Sequence, residues 1–345
     1  MKLNFIGKPQ DLEAGLNLLS DELEIEIAED GIPVHVQRSE KNIELGLENG
    51  QGWIRYRERI HFFRALGLFI EAARQTQQFS ITETPQFSTA GAIVDVSRNA
   101  VLTVKSVQYL LRRMALMGLN ALMLYTEDTY EVEGLPYFGY MRGRYSYQEL
   151  KDCDDYAEAL GIEIIPCIQA LAHIEHYLKW DVAKQLRDTR DVLLIDSPST
   201  YEFLDKLIAA ASRPFRSKRI HLGLDEAYGM GRGVYLDRHG FRDRFELIRS
   251  HLDKVLQITD KYGLQPMIWS DMYFRAASPT HDYYDLAASI PEHVKQARPA
   301  NVQLVYWDYY HNDPEFYSDY IERHREFGLD PIFAGGIWVW GCWGP

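Results

Sequence analysis

From residue 91 onward the chain repeats one pattern: a short apolar run, then a longer segment with apolar residues at helical spacing. The runs are GAIVDVS (91–97), NALMLY (120–125), IEIIPCIQ (162–169), RIHLGLDE (219–226), QPMIWSD (265–271), VQLVYWD (302–308) and PIFAGGIW (331–338). VKSVQYLLRRMALMG (104–118) predicts an amphipathic helix closing at Gly118. Further helices are predicted near 148–160, 200–211, 242–262, 291–298 and 314–326, with Gly263 and Gly328 as stops. Short buried strands alternating with helices imply a parallel sheet. The expected fold class is therefore α/β, a (β/α)8 TIM barrel. An open doubly wound sheet is the alternative, but no GxGxxG turn follows the first strand. Only seven units can be counted, so the barrel is expected to be truncated after its seventh strand.

Residues 1–88 follow a different grammar. ELEIEIAE (22–29), PVHVQRS (33–39) and NIELGLEN (42–49) alternate apolar and polar positions as half-buried strands do, and residues 60–75 carry a helical stripe. A small α+β domain over 1–88 is expected to precede a catalytic barrel over 89–345.

Charge narrows the partners. Fifty acidic residues against 37 basic ones give a net charge of -13, which argues against nucleic acid and anionic membrane surfaces. No apolar stretch approaches the ~20 residues of a membrane span, and the N-terminus lacks a signal-peptide pattern, so a cytoplasmic location is expected. Cys153, Cys167 and Cys342 form neither a disulfide framework nor a metal-ligand spacing. No metal or other cofactor is called for, and oligomeric state is not indicated.

Barrel enzymes carry their chemistry at the C-terminal ends of the strands. Here those ends hold Asp95 and Arg98, Glu127 and Asp128, His173, Asp225 and Glu226, Trp269 and Asp271, Trp307 and Asp308, and Trp338 and Trp340. The central feature is the adjacent pair in HLGLDEAYG (221–229). A retaining glycosidase with a protein nucleophile needs carboxylates on opposite faces of the sugar, ~5–5.5 Å apart. Consecutive Cα atoms ~3.8 Å apart approach from one side and meet that need poorly. They suit a substrate that brings its own nucleophile. Glu226 would protonate the leaving oxygen, while ionised Asp225 would hold the N–H of a 2-acetamido group and stabilise the oxazolinium that forms.

HLGLDE resembles the H-x-G-x-D-E motif of glycoside hydrolase family 20, the β-N-acetylhexosaminidases. IVDVSRN (93–99) resembles that family's first-strand D-x-x-R, and PCIQALAH (166–173) its P-E-I-D-x-P-G-H segment. The resemblance implies that Asp225 and Glu226 are catalytic and that Arg98 binds hydroxyls on the far edge of the terminal sugar. It also implies that His173 stands beside the catalytic acid. Trp269, with Asp271 beside it, and Trp307 would line the acetamido pocket. Tyr309 would hydrogen-bond the acetamido oxygen, and Trp340 would supply a further wall. The implied partners are β-N-acetylhexosaminide glycans or glycoconjugates. The sequence departs from the pattern where Cys167 and Gln169 replace the usual Glu and Asp, and where LYTED replaces His-x-His after the second strand. A divergent, bacterial-type branch is expected.

Two rival functions stay open. One is a glycosidase pairing Glu226 with Glu127 or Asp271 as a protein nucleophile. The other is a non-catalytic sugar-binding barrel. His221 reads as a hydrogen-bonded strand histidine, and the charged helix over 241–254 and RPFRSKR (213–219) read as solvated surface.

Overall fold

The computed structural model describes residues 1–40 and 42–336. Trp338, Trp340 and Cys342 therefore lie outside the described residues. Among those described, strands and helices form two sheets with their covering helices, and the chain divides into two compact units.

The first unit comprises Met1–Val94, Leu102–Met123 and Gln148–Ile164. Its own sheet contains β1 (Lys2–Ile6), β2 (Glu26–Ile27), β3 (Ile32–Arg38), β4 (Ile43–Glu48), β5 (Gln51–Tyr56) and β6 (Phe79–Glu83), in the order β2-β1-β3-β5-β4-β6. The pairings β1–β2, β1–β3 and β3–β5 are parallel, and β4 is antiparallel to β5 and β6. Asn49 and Gly50, both at positive φ, turn β4 into β5. This is the backbone that a two-residue hairpin loop demands.

Two helices belong to this unit's N-terminal part, α1 (Glu13–Leu23) and α2 (Arg59–Gln75). The expected strand over 22–29 is a correction: α1 occupies its start, and only Glu26–Ile27 pair as β2. Leu12, Leu16, Leu19 and Leu23 recur at helical spacing and are all buried, so their 3.6-residue stripe prevails over the alternation that follows it. In α2 the buried face is Ile60, Phe62, Phe63, Leu66, Phe69 and Ile70. Gly15 of α1 passes so close that a Cβ there would lie 2.2 Å from the Phe63 ring and 2.5 Å from the Ala159 carbonyl.

The second sheet has seven strands: β7 (Gly91–Asp95), β8 (Ala121–Tyr125), β9 (Glu163–Cys167), β10 (Arg219–His221), β11 (Gln265–Trp269), β12 (Gln303–Asp308) and β13 (Ile332–Gly335). Its order is sequential, β13-β12-β11-β10-β9-β8-β7. The registered pairings from β9 to β13 are parallel. A doubly wound sheet reverses its order at a switch point; this sheet does not, and it is the sheet of a (β/α) barrel with seven strands among the described residues.

The intervening helices are α3 (Val104–Met117), α4 (Tyr147–Ala159), α5 (Glu175–Leu178), α6 (Pro198–Ser212), α7 (Val234–His239), α8 (Arg244–Lys261), α9 (Asp271–Ala277), α10 (Glu292–Gln296) and α11 (Pro314–Arg325). The helix expected over 242–262 starts at Arg244, where the Asp243 side chain accepts from the N–H groups of Phe245 and Glu246. Gly118 ends α3 in the left-handed conformation.

Gly15→Ala tests the packing of α1. Helix propensity alone would favour alanine by about 1 kcal/mol. Overpacking against a carbonyl that cannot swing aside costs ~1–3 kcal/mol, so the clash should win. Thermal unfolding is expected at a lower temperature than for the parent chain.

Candidate active site

Every residue of the site belongs to the second unit, which comprises Asp95–Val101, Leu124–Tyr147 and the described residues from Ile165 onward. Its centre is the segment after β10. The strand ends at His221, earlier than the run 219–226 suggested. Leu222 N–H still donates to the Met267 carbonyl, and the Gly223 carbonyl accepts from Trp269 N–H. The backbone then departs from extended geometry, with φ of 70° at Gly223, 72° at Leu224 and 51° at Glu226. Left-handed conformations at non-glycine residues cost about 1–3 kcal/mol each and persist only where the surroundings hold them. Here Glu226 N–H donates to Asp271 Oδ2 at 3.1 Å.

This bend separates the two acids. Asp225 turns inward and is buried, whereas the Glu226 side chain is 35% exposed. Asp225 Oδ1 accepts from Gln169 Nε2 at 2.9 Å, and Oδ2 lies 3.2 Å from His173 Nε2. The His173 contact is an ion pair and not a well-aligned hydrogen bond, since Nε2 has no partner in hydrogen-bond geometry. Burial acts against charge on His173, but the Asp225 carboxylate overrides it and raises the imidazole pKa to about 9. Burial likewise opposes ionisation of Asp225, yet His173, Gln169 and Arg98 hold its pKa below the ordinary carboxylate range. At neutral pH the centre is therefore an imidazolium beside a carboxylate.

Glu226 Oε2 lies 3.7 Å from His173 Nε2. Its Oε1 accepts from Tyr228 Oη at 3.3 Å and lies 3.7 Å from Arg275.

Asp271, expected as a substrate contact, is instead completely buried. Its Oδ2 accepts from both Glu226 N–H and Arg275 Nε, and burial raises its pKa. It braces the segment from beneath. Trp269 is nearly buried, with its ring centroid 4.3 Å from that of His221. The Nδ1 of His221 accepts from Gly223 N–H, and burial lowers its pKa to about 4, so the ring is neutral.

Arg98 forms the opposite end of the site. It donates to Tyr125 Oη at 2.7 Å and Glu127 Oε1 at 3.2 Å, and lies 3.4 Å from Asp95 Oδ2. Asp128 is taken by Arg142 at 3.1 Å, and Asp308 by Tyr306 and His311 at 2.8 Å each. Those two acids organise loops. Trp307 and Tyr309 stack with centroids 5.4 Å apart and planes 22° apart. Burial and then Asp225 push the Tyr309 hydroxyl upward, which places it within electrostatic reach of the pair. Trp340 cannot be placed, as it lies outside the described residues.

Sequence reasoning missed Tyr125, Tyr228 and Arg275 as neighbours of the pair. Tyr125 ends an apolar strand and reads as core. Arg275 sits on α9, which no periodicity announced; its spacing of four from Asp271 was the available signal.

Among the described residues, His173, Asp225 and Glu226 are the one set whose ligand atoms, all within 4.8 Å of one another, could grip a metal ion. A metal needs a neutral imidazole. With its pKa near 9, His173 carries a proton there at neutral pH.

The geometry defines a β/α-barrel protein with an acid pair at the mouth of its sheet. The family profile "Glycosyl hydrolase family 20, catalytic domain" matches residues 87–313, well over half of the chain. The chain belongs to that family. Among curated proteins it is similar to "Hexosaminidase D" of Homo sapiens, 25% identical over 244 residues, covering 66% of this chain and 46% of that protein. "Hexosaminidase D" of Bos taurus is 25% identical over 230 residues, covering 63% of this chain and 62% of that protein. The matches thus span about half to three fifths of those relatives' lengths. Among solved structures, the GH20 exo β-N-acetylglucosaminidase of Vibrio harveyi superposes with a TM-score of 0.73 at 17% identity, covering 96% of this chain and 56% of that one. The Streptomyces plicatus β-hexosaminidase gives 0.70 at 16%, covering 97% and 69%. These likenesses establish the shared fold.

The His173 pair makes stability depend on pH with a definite sign. The folded pKa of about 9 stands above the ordinary 6.5, so folding favours the protonated imidazole. Its contribution is full below pH 6.5, declines from there to 9, and is absent above that. Urea unfolding of the parent and of His173→Gln should therefore differ most at pH 6, with the gap narrowing towards pH 9.5.

Proposed function

We propose that the protein is an exo-acting glycosidase that removes terminal, non-reducing β-linked N-acetylglucosamine or N-acetylgalactosamine by substrate-assisted retention. The observation that carries this reading is the unequal environment of two adjacent acids. Asp225 is buried and held as an anion, while Glu226 is accessible and within 3.7 Å of the same imidazole.

Such a pair divides the chemistry. The Asp225 carboxylate accepts the acetamido N–H, turns the acetamido oxygen towards C1 and opposes the positive charge of the oxazolinium. Glu226 gives its proton to the leaving oxygen and takes one from the incoming water in the second step. Arg98, held by Tyr125, Glu127 and Asp95, presents donors for sugar hydroxyls. The stacked Trp307 and Tyr309 offer an aromatic face for the acetamido group.

The two carboxylates available for a conventional nucleophile are badly placed. Asp271 is sealed beneath the Glu226 backbone, and Glu127 is bound to Arg98. That favours the substrate's own group as nucleophile. The names of the relatives, hexosaminidases and an N-acetylglucosaminidase, agree with this substrate class. A purely sugar-binding barrel would have no use for a buried anion beside an imidazolium.

Glu226→Gln should lower kcat/KM on N-acetylglucosaminides with poor leaving groups by ~10²–10⁴-fold, the usual worth of a general acid. It should spare activated aryl glycosides more. Asp225→Asn should cripple N-acetyl substrates, and a thiazoline mimic of the cyclised intermediate should inhibit. Equal cleavage of glucosides and N-acetylglucosaminides by the parent enzyme would sink the proposal.

A further inference from the structure

We infer that Arg232 and Arg244, together with Phe241, form a subsite for the leaving half of the substrate, selective for a leaving sugar that carries an oxyanion, a carboxylate or a sulfate ester. This rests on the glycosidase reading given above and adds the chemistry of the departing group to it.

The place follows from the division of labour between the acids. Glu226 protonates the leaving oxygen, so the departing group lies on the outer side of Glu226, away from Arg98. Two residues further on stands Tyr228, which is exposed. Its hydroxyl donates to Glu226 Oε1 at 3.3 Å, and its carbonyl accepts from Arg244 at 3.1 Å. A single tyrosine thus joins the acid to Arg244.

The charge there is unanswered. Arg232 and Arg244 are both half-buried, and they donate only to main-chain carbonyls, those of Gly231 and Tyr228. Among the described residues neither meets a carboxylate. Arg242, between them in the chain, is claimed by Asp196 and Glu246 at 3.1 Å each. Burial, and then the charge of Arg232, hold the Arg244 pKa below its ordinary value, so the two guanidiniums repel. Like charges drawn partly out of water are costly unless an anion meets them. The chain has a net charge of -13, yet none of its described acids is placed to do so.

Phe241 adds shape to this charge. It is 76% exposed, and the Arg232 guanidinium stands 4.6 Å from its ring centroid. The cation covers one face of the ring and leaves the other for the apolar face of a sugar. An aromatic platform beside two fork-shaped donors matches a sugar ring that bears an oxyanion.

The loop that carries Arg232 is already fixed. Asp188 accepts from the N–H groups of Gly231 and Tyr235 at 2.7 and 2.8 Å. A Cβ at Gly233 would lie 2.1 Å from the Asp188 carbonyl, so loop and support touch directly. Little ordering cost is left for a ligand to meet.

The test uses three disaccharides in which N-acetylglucosamine is β-linked to glucuronic acid, to glucose 6-sulfate or to glucose. The parent should cleave at least one of the two anionic substrates with a kcat/KM about tenfold above that for the glucose disaccharide, the scale of a partly screened charge-assisted hydrogen bond. The two anionic arms tell carboxylate from sulfate. The preference should shrink as salt is added. Arg232→Gln and Arg244→Gln should each lower the anionic-to-neutral ratio, and the double variant should bring it close to one. Because the readout is a ratio, a general loss of activity in a variant cancels.

A ratio near one for both anionic arms in the parent, or a parent-like ratio in the double variant, would overturn the inference. Failure of the parent to cleave any of the three would count instead against the proposed function. Calorimetric binding of the same three disaccharides to parent and double variant would then decide the inference by the same comparison, with equal affinities overturning it.

Discussion

A carboxylate drawn almost entirely out of water is the constraint on which the site depends. Removing an ion from solvent costs several kcal/mol even after relaxation, unless charge and hydrogen bonds answer it. Asp225 is answered from two sides: His173 supplies positive charge at 3.2 Å and Gln169 an N–H at 2.9 Å. Neither alone suffices physically. The imidazolium without the amide would leave Oδ1 bare, and the amide without the imidazolium would leave a buried net charge.

Holding that arrangement demands an unusual backbone. His173, Leu224 and Glu226 all take positive φ, at 57°, 72° and 51°. Strain of this kind is stable only where neighbouring elements overdetermine it. Hydrogen bonds from Leu222 and to Gly223 clamp the segment to β11, and Asp271 seizes the Glu226 N–H from α9. Met230 and Tyr228 N–H groups close tight turns just beyond, and Asp188 accepts from Gly231 and Tyr235 further on. The strand below and the loop beyond are thus both fixed, and the bend between them has one geometry available. That bend allows two sequence-adjacent acids to occupy unlike environments.

The barrel was legible because its signals are periodic. Seven apolar runs and the helices between them survive in the structure with shifts of a few residues, and the sequential strand order follows from short connections. The N-terminal sheet was half legible. Lys2–Ile6 is only five residues long, Gln51–Tyr56 is interrupted by Gly52 and Phe79–Glu83 is an edge strand, while α1 hid under an alternation that starts only at its end. At the site, residues with a chemical signature could be named from the chain: Asp225, Glu226, His173 and Arg98. What could not be read was orientation. Asp271 looked like a wall residue because it follows a tryptophan at a strand end, but helix α9 begins at that residue and turns its carboxylate under the pair. Only three-dimensional packing distinguishes a carboxylate that meets substrate from one that meets a backbone N–H.

Charge balance suits the uncharged side chains found at 167 and 169. Around the pair stand three cations, Arg98, His173 and Arg275, and the carboxylates of Asp95, Glu127, Asp225, Glu226 and Asp271. Arg98 is engaged by the first two at 3.4 and 3.2 Å, Arg275 by Asp271 at 2.9 Å, and His173 lies 3.2 Å from Asp225 and 3.7 Å from Glu226. Five carboxylates already face three cations, so a further buried acid would add to the imbalance. Cys167 fits because burial holds its thiol protonated and uncharged, and Gln169 because it donates without titrating. Both side chains thus sit in the buried surroundings of the pair without adding charge to them.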